Sequence, residues 1–128
     1  ELSRAVEIPI EPLPGPEILT GSTRLKAGTA TKLVLNMLST AAMIRLGYVY
    51  SNLMVNVQPT NAKLLDRARR IVAQAGQVDA ERASALLETA GGGVKTAIIM
   101  GRMGVDRVVA ERLLAEAGGR VSVALRQI

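Results

Sequence analysis

The sequence predicts a mainly α-helical fold, and three observations lead to this prediction. The chain of 128 residues is 48% apolar but has only Tyr48 and Tyr50 as aromatic residues, so its core must be aliphatic. Two long segments carry apolar residues at helical spacing. Residues 78–125 contain an internal repeat, and each copy has the start and stop signals of helices.

The N-terminal segment is expected to be extended. Residues 3–13 alternate apolar side chains at Val6, Ile8 and Ile10. Pro9 lies among them and lacks the N–H group that a sheet ladder needs, so the segment is at best an edge strand or an extended lead-in. The prolines and the glycine that follow keep the backbone out of a helix.

A long apolar helix is expected between Gly21 and Gly47. Ser22 and Thr23 offer N-cap hydroxyls, and Gly47 has the position of a C′ residue. The intervening sequence is apolar on nearly every face, which is typical of a helix that is buried or shared between a core and a subunit interface. Without another domain to cover it, this surface should be exposed, and the chain should self-associate or be unstable. Residues 48–60 are expected to be irregular.

A second helix is expected from Asn61, as its N-cap, to Ala75. Its apolar stripe consists of Leu64, Leu65, Ala68, Ile71, Val72 and Ala75. The charged residues beside it are Lys63, Asp66, Arg67, Arg69 and Arg70. We interpret these charges as a solvated face, because nucleic-acid binding would call for aromatic side chains or a wider basic surface. The net charge of +5 permits an anionic partner, but no nucleic acid is expected.

The internal repeat aligns residues 78–98 without gaps on residues 105–125, an offset of 27 residues. Each copy reads as an Asp N-cap, an amphipathic helix, a glycine stop and a second helix. The caps are Asp79 and Asp106. Neither copy is long enough to bury its Leu-Leu face alone, so the two should pack on each other. A compact helical module is therefore expected at residues 77–128.

The composition excludes several kinds of chemistry. The chain contains no Cys and no His, which rules out disulfides, ordinary Cys/His zinc sites, thiolate nucleophiles and a Ser-His-Asp triad. Acid-base chemistry would have to come from carboxylates, Lys, Tyr or backbone groups. The longest uncharged stretch before Arg45 covers residues 33–44. A membrane span needs about 20 apolar residues, so no membrane partner is expected.

Residues 15–32, GPEILTGSTRLKAGTATK, have the features of an anion site. A Gly-Ser-Thr turn opens a helix whose first N–H groups lack intrahelical partners, and Arg24, Lys26 and Lys32 add positive charge nearby. The alternative is an ordinary capped helix start with solvated charges, and spacing alone does not separate the two. Glu17 is the one carboxylate nearby. Such a residue is more often a structural partner of Arg24 or Lys26 than a catalyst.

The same segment closely resembles the signature of the N-acetylmuramic acid 6-phosphate etherases, and less closely that of the glucokinase regulatory proteins. The similar stretch reads GPEILTGSTRLKAGTATKLVLNMLST. The resemblance continues through LGYVYSNLMVNVQPTNAKLLDRARRIV and ETAGGGVKTAI, so it covers essentially the whole chain.

The resemblance implies a domain organisation for this mainly α chain. Residues 1–60 would be the C-terminal end of an α/β sugar-isomerase-type domain, with a short extended segment and the long buried helix. Residues 61–76 would be a connecting helix. Residues 77–128 would be a helical module with the repeat of 27 residues, similar to ubiquitin-associated (UBA) folds.

The resemblance also implies an activity. The family removes D-lactate from N-acetylmuramic acid 6-phosphate by elimination at the ether and adds water to give N-acetylglucosamine 6-phosphate, in the recycling of cell-wall sugars. Such a carbon-oxygen lyase would be a cytoplasmic homodimer that binds its phosphorylated amino sugar near the subunit interface, without a metal or organic cofactor. The family's phosphate loops and catalytic glutamates should lie upstream of Glu1. The chain alone is therefore expected to be inactive, and Glu7, Glu11 and Glu17 are not assigned as acid or base.

The residues that match the family signature as substrate-binding candidates are Glu17, Ser22, Thr23, Arg24 and Lys26. We favour a ligand role for Lys26, because its ammonium would hold the lactyl carboxylate or offset the charge of the enolate in the transition state. We favour a structural role for Arg24. The alternative for both is that they brace the turn through ion pairs, which contribute little when exposed.

A different class of function remains open from the residues themselves. The chain would then be a non-catalytic module that binds a sugar phosphate or a protein partner, because the paired repeat units resemble UBA three-helix folds. The regulatory branch of the superfamily also binds sugar phosphates without converting them. The missing aromatic residues and the close match to the etherase signature count against this alternative.

Overall fold

The computed structural model describes residues 2–126, and this part of the chain is mainly helical, as predicted. Its α-helices are α1 (Lys26–Arg45), α2 (Ala62–Gly76), α3 (Ala80–Thr89), α4 (Val94–Met103), α5 (Arg107–Glu116) and α6 (Val121–Ala124). Two short strands, β1 (Val49–Tyr50) and β2 (Leu53–Met54), lie between α1 and α2 in the sequence. The chain divides into two compact units, the first ending at Ala42 and the second beginning at Met43.

The first unit contains a 3₁₀ turn at Leu2–Ala5, an irregular segment and most of α1. No strand forms within residues 3–13, and the expected extended conformation is wrong for the first part of the segment, because residues 3–5 belong to the 3₁₀ turn and residues 6–8 form a bend. Pro9 and the prolines after it explain why no strand forms, because they cannot donate to a sheet ladder. The apolar side chains of the segment are exposed, with Ile8 at 80%.

Helix α1 has no buried residue, although its sequence is apolar on nearly every face. Leu35, Met37 and Leu38 are 60%, 63% and 53% exposed. The sequence predicts that this helix is buried in a complete protein but exposed when no other domain covers it. The exposure found here agrees with the second expectation, and within this chain the helix is not buried. An apolar surface of this kind is typical of an interface, so self-association stays a prediction. Within residues 2–126 neither α1 nor any other helix combines the length and apolarity needed to cross a bilayer.

Gly47 ends α1, as the sequence predicts. Its φ of +74° is left-handed, and its N–H donates to the carbonyl of Ile44 at 3.0 Å. The N–H of Tyr48 donates to the carbonyl of Met43 at 3.1 Å, which completes a Schellman motif. Gly47 is also buried, and a methyl group on its Cα would lie 2.5 Å from Cγ of Arg120. Both the backbone conformation and the available space therefore require glycine at this position.

Residues 49–54 form a hairpin, where the sequence predicts irregular chain. Strands β1 and β2 pair antiparallel, with Tyr50 opposite Leu53. The turn between them places Ser51 at a φ of +54°, a conformation that glycine or asparagine usually supplies. Because the usual glycine signal is missing from the sequence, the prediction for this segment is wrong.

Helix α2 has the predicted start, apolar stripe and solvated face. Asn61 is the N-cap, and its Oδ1 accepts a hydrogen bond from the N–H of Leu64 at 2.9 Å. The inner part of the stripe is buried, with Ala68 and Val72 at 0% exposure. The charged residues beside the stripe are all exposed. This exposure agrees with a solvated face, and the expectation that these charges bind no nucleic acid stays a prediction.

Both copies of the repeat begin with the predicted aspartate caps. Oδ1 of Asp79 accepts a hydrogen bond from the N–H of Arg82 at 2.7 Å. Oδ1 of Asp106 accepts one from the N–H of Val109 at 2.9 Å. Each carboxylate also lies at the positive end of its helix dipole, where a negative charge stabilises the helix.

The first helix of each copy ends at a pair of glycines, as predicted. Gly91 and Gly92 follow α3, Gly118 and Gly119 follow α5, and all four have positive φ. In each pair the second N–H donates back to a leucine carbonyl in the helix, over 2.9 Å in the first copy and 2.7 Å in the second. These bonds satisfy carbonyls at the helix ends and turn the chain sharply.

The core of the second unit lies among α2, α3, α4 and α5. Its largest fully buried side chains are Val55, Val72, Ile98, Ile99 and Val121. The two copies of the repeat pack on each other through α4, which contacts α3, α5 and α6. Helix α2 contacts both α3 and α4, so the core includes this helix as well as the repeat.

Helices α2 and α4 meet at Gly76 and Gly101. A methyl group added to Gly101 would lie 3.1 Å from Cδ1 of Leu86 and 3.5 Å from the Cα of Gly76. Gly76 lies inside α2, one residue beyond the predicted end, and Gln77 adopts the left-handed φ of +56° instead. We infer that Gly76 allows close packing of the two helices and does not terminate α2.

Candidate functional site

The segment before α1 folds around the carboxylate of Glu17. Both of its oxygens lie 3.1 Å from the backbone N of Lys26, the first residue of α1. Oε1 also accepts a hydrogen bond from the N–H of Ala27 at 3.0 Å. The negative charge thus lies at the positive end of the helix dipole. Glu17 caps α1 from a position nine residues earlier in the sequence.

The prediction that Ser22 and Thr23 provide the N-cap of α1 is wrong. Oγ of Ser22 accepts a hydrogen bond from the N–H of Arg24 at 3.3 Å, before the helix begins. Thr23 accepts through its backbone carbonyl, from the N–H of Gly28 at 2.9 Å. The hydroxyls therefore shape the turn or face solvent, and the two amide groups bound by Glu17 are not free to hold an external anion.

The ammonium group of Lys26 is held close to the same turn. Its Nζ donates a hydrogen bond to the carbonyl of Pro16 at 2.8 Å. Within residues 2–126, neither Lys26 nor Arg24 forms an ion pair. The alternative that Lys26 and Arg24 brace the turn through ion pairs is therefore wrong for this part of the chain. Lys26 instead holds the turn through its hydrogen bond to Pro16. An ammonium has three N–H groups, so others remain to bind a ligand.

A groove of about 610 Å³ opens beside the turn. It is lined by Glu17, Ile18, Leu19, Ser22, Arg24 and Leu25. Three of the five predicted site residues thus share one cavity, whereas Thr23 and Lys26 do not line it. The cavity combines a carboxylate, a guanidinium and a hydroxyl with aliphatic side chains.

The carboxylate of Glu17 is poorly suited to act as a general base. The N–H of Ala27, then that of Lys26, lowers the pKa of Glu17 below its ordinary value, and the charge of Lys26 adds to the effect. A carboxylate with a lowered pKa is a weaker general base. Among residues 2–126 no three acidic side chains form a cluster that could hold a metal ion.

We expect the start of α1 to loosen at acid pH. Because the folded-state pKa of Glu17 is lowered, its stabilising effect is complete above the unfolded value and is lost as the pH falls through the folded-state pKa. In an NMR titration the amide signals of Lys26 and Ala27 should move together at a pH below 4.5, the ordinary value. The Glu17→Gln variant should lack this step. Amide signals that move together only at or above the ordinary value would contradict the prediction.

The second unit contains a charged group that the sequence analysis did not single out, Lys95. Its Nζ donates to the carbonyl of Gly119 at 2.9 Å and lies 5.1 Å from the centre of the Tyr48 ring. Burial lowers the pKa of Lys95 from its ordinary value. The signal was available in the letters GGGVKT, where a lysine and a threonine follow glycines at a helix start.

Comparison with known proteins gives a consistent set of relatives, although no protein-family model matches the chain. The chain is 53% identical to the N-acetylmuramic acid 6-phosphate etherase of Mycolicibacterium smegmatis, over 97% of its own length and 42% of that protein. It is 49% identical to N-acetylmuramic acid 6-phosphate etherase 1 of Enterococcus faecalis, over 97% of its own length and 41% of that protein. It is 52% identical to the N-acetylmuramic acid 6-phosphate etherase of a Geobacillus species, over 98% of its own length and 43% of that protein.

The chain thus spans between 41% and 43% of the length of these relatives. The matched part is their C-terminal portion. Because the identity extends along nearly the whole chain, the resemblance inferred from the signature segment is confirmed.

Proposed function

We propose that this chain is the C-terminal part of an N-acetylmuramic acid 6-phosphate etherase, a carbon-oxygen lyase. The complete enzyme removes D-lactate from N-acetylmuramic acid 6-phosphate and adds water to give N-acetylglucosamine 6-phosphate. It acts in the recycling of cell-wall sugars in the cytoplasm. The observation that carries the proposal is the identity of about half of the residues to etherases along 97% of the chain.

We propose the same domain organisation that the resemblance implies. Residues 1–60 form the C-terminal end of a sugar-isomerase-type domain, and residues 77–128 form the UBA-like module. Residues 61–76 form a helix that connects the two. The exposure of α1 supports this proposal, since an apolar helix without buried residues needs a covering surface. In the complete homodimer that surface belongs to the rest of the enzyme or to the second subunit.

The turn before α1 forms one wall of the proposed substrate site. Ser22 and Thr23 offer hydroxyls, and Lys26 places a positive charge for the lactyl carboxylate or for the enolate that forms during elimination. Glu17 acts as a positioning residue, because its carboxylate holds the N–H groups at the start of α1. Arg24 lines the groove beside them and has a structural role. The general acid and base come from the part of the relatives that this chain does not span.

A chimera tests the proposal. The part of the Mycolicibacterium smegmatis etherase upstream of the match is joined to this chain, and the natural etherase sets the reference rate. The purified chimera should release D-lactate from N-acetylmuramic acid 6-phosphate, measured with lactate dehydrogenase, whereas the chain of 128 residues alone should release none.

Two results would contradict this proposal. Turnover by the short chain would show that the acid and base have been placed wrongly. A folded, dimeric chimera that binds N-acetylglucosamine 6-phosphate in calorimetry but releases no lactate would favour the non-catalytic sugar-phosphate module.

A further inference from the structure

We propose that the second unit carries an oxyanion site for a phosphoryl group at the start of α4. A cavity of about 590 Å³ lies there, and we name it the α4 N-terminal pocket. Its walls are the irregular segment 55–60, the loop and helix start 91–96, and Leu114. All residues of the site belong to the second unit, and the inference does not rest on the proposed function.

The first N–H groups of α4 lack acceptors. Gly93 is the N-cap and has no side chain to offer, whereas side chains cap α2, α3 and α5. The first backbone hydrogen bond of the helix runs from the N–H of Ala97 to the carbonyl of Gly93 at 2.9 Å. The N–H groups of residues 94–96 therefore have no partner among residues 2–126. Such groups, together with the helix dipole, attract an anion.

Thr96 provides an independent observation, a buried residue whose hydroxyl oxygen keeps some access to solvent and has no hydrogen-bond partner within residues 2–126. It is 8% exposed, lines the pocket, and its Oγ1 makes no hydrogen bond to any residue in the described range 2–126. A methyl group on Gly93 would lie 3.3 Å from this Oγ1, so the hydroxyl lies beside the N-cap. No buried polar side-chain atom in that range is both sealed from solvent and unpaired. The hydroxyl therefore reaches the space of the pocket, where a ligand can satisfy it.

The charge of the pocket selects an anion. Lys95 is the only charged residue among those that line it, and no carboxylate faces it there. Its Nζ donates to the carbonyl of Gly119, which does not line the pocket, so the ammonium would have to turn toward a bound anion and use its other N–H groups. Burial disfavours the charged form of Lys95, so a bound anion would relieve part of this cost.

The set of donors fits a phosphoryl group better than a carboxylate. Backbone N–H groups, a hydroxyl and an ammonium all belong to one short segment, residues 94–96. A phosphate monoester offers three acceptor oxygens and nearly two negative charges, so it can use more of these donors than a carboxylate can. The same chemistry is available in inorganic phosphate and in a small phosphorylated metabolite.

A titration of the whole chain with inorganic phosphate tests the inference. At constant ionic strength, kept with chloride, the amide signals of residues 94–96 should shift and saturate. Calorimetry measures the dissociation constant on the same samples. Thr96→Val and Lys95→Gln should each weaken phosphate binding about tenfold, because each removes a hydrogen bond to a charged ligand.

Two controls separate binding from a structural role. Lys63 is the second residue of α2, as Lys95 is of α4, but Asn61 caps α2. Lys63→Gln should therefore leave phosphate binding unchanged. Without phosphate, Thr96→Val should be at least as stable as the parent chain, since the lost hydroxyl had no partner. A clear loss of stability would assign the hydroxyl a structural role and overturn the inference.

Further arms of the titration identify the source of the phosphoryl group. Tighter binding of glucose 6-phosphate than of inorganic phosphate would indicate a phosphorylated metabolite, and equal binding would indicate inorganic phosphate; both support the site. Acetate that shifts the same amides with equal affinity would overturn the phosphoryl assignment. Shifts that do not saturate, or that all variants share, would mean an adventitious ion only.

Discussion

In the proposed complete etherase, Lys26→Met should lower kcat/KM about a hundredfold or more, the usual effect of removing one fixed donor that stabilises transition-state charge. Methionine has a side chain of similar length to that of lysine but carries no ammonium group. If the charge acts on the enolate, the loss should fall on kcat; if it holds the lactyl carboxylate in the ground state as well, KM should rise. Lactate release by the chimera gives both constants.

The comparison with Lys32→Met makes this test specific. Lys32 lies on the same helix and is exposed, so its replacement should leave the kinetics unchanged. Lys26→Arg, which keeps the charge, should recover part of the activity. Unchanged kinetics in Lys26→Met would leave only the hydrogen bond to Pro16 as its role. A fall in thermal stability that matches the fall in activity would lead to the same conclusion.

Ile98→Ala should lower the free energy of unfolding by about 2–5 kcal/mol, as large-to-small changes in a packed core do. Ile98 is 0% exposed and lies on α4, the helix through which both copies of the repeat pack. The truncated side chain would leave a cavity there that neighbouring helices cannot fill without moving. Urea unfolding of the whole chain, followed by circular dichroism, measures the change.

Val108→Ala is the matched control for this prediction. Val108 lies on α5 but is 75% exposed, so its truncation should change the free energy of unfolding by no more than about 0.5 kcal/mol. Equal losses in the two variants would mean that α4 does not lie at the centre of the core.

The helices of the second unit could be predicted because their signals are local. Asn61, Asp79 and Asp106 each accept from an N–H three residues later, and the glycine stops bond within the preceding turn. Contacts over such short separations can be recognised from the order of the residues alone. The apolar stripe of α2 is equally local, because helical geometry places its residues on one face.

The features that escaped prediction depend on contacts between residues far apart or on unusual backbone conformations. Glu17 caps α1 across nine residues, a distance at which no capping rule applies. Ser51 turns the hairpin with positive φ, although serine rarely adopts it. Gly76 resembles a helix stop, and only the approach of Gly101 explains its place inside α2.

In the candidate site, too, some features could be predicted from the sequence and others could not. The resemblance selected the segment around Ser22 and Lys26, but the hydrogen bonds of Glu17 that occupy the helix start became visible only in the structure. The α4 N-terminal pocket was missed for a different reason. Its defining property is the lack of a side-chain cap at Gly93, and a missing interaction leaves little trace in a sequence.

Gly47 has a consequence for reading other sequences. Any side chain at this position would meet Arg120 as well as a disfavoured backbone conformation. A homologous sequence that carries another residue there must have changed the residue at position 120 or moved the loop before α6, so this single position can serve as a marker of whether the contact between the end of α1 and that loop is preserved.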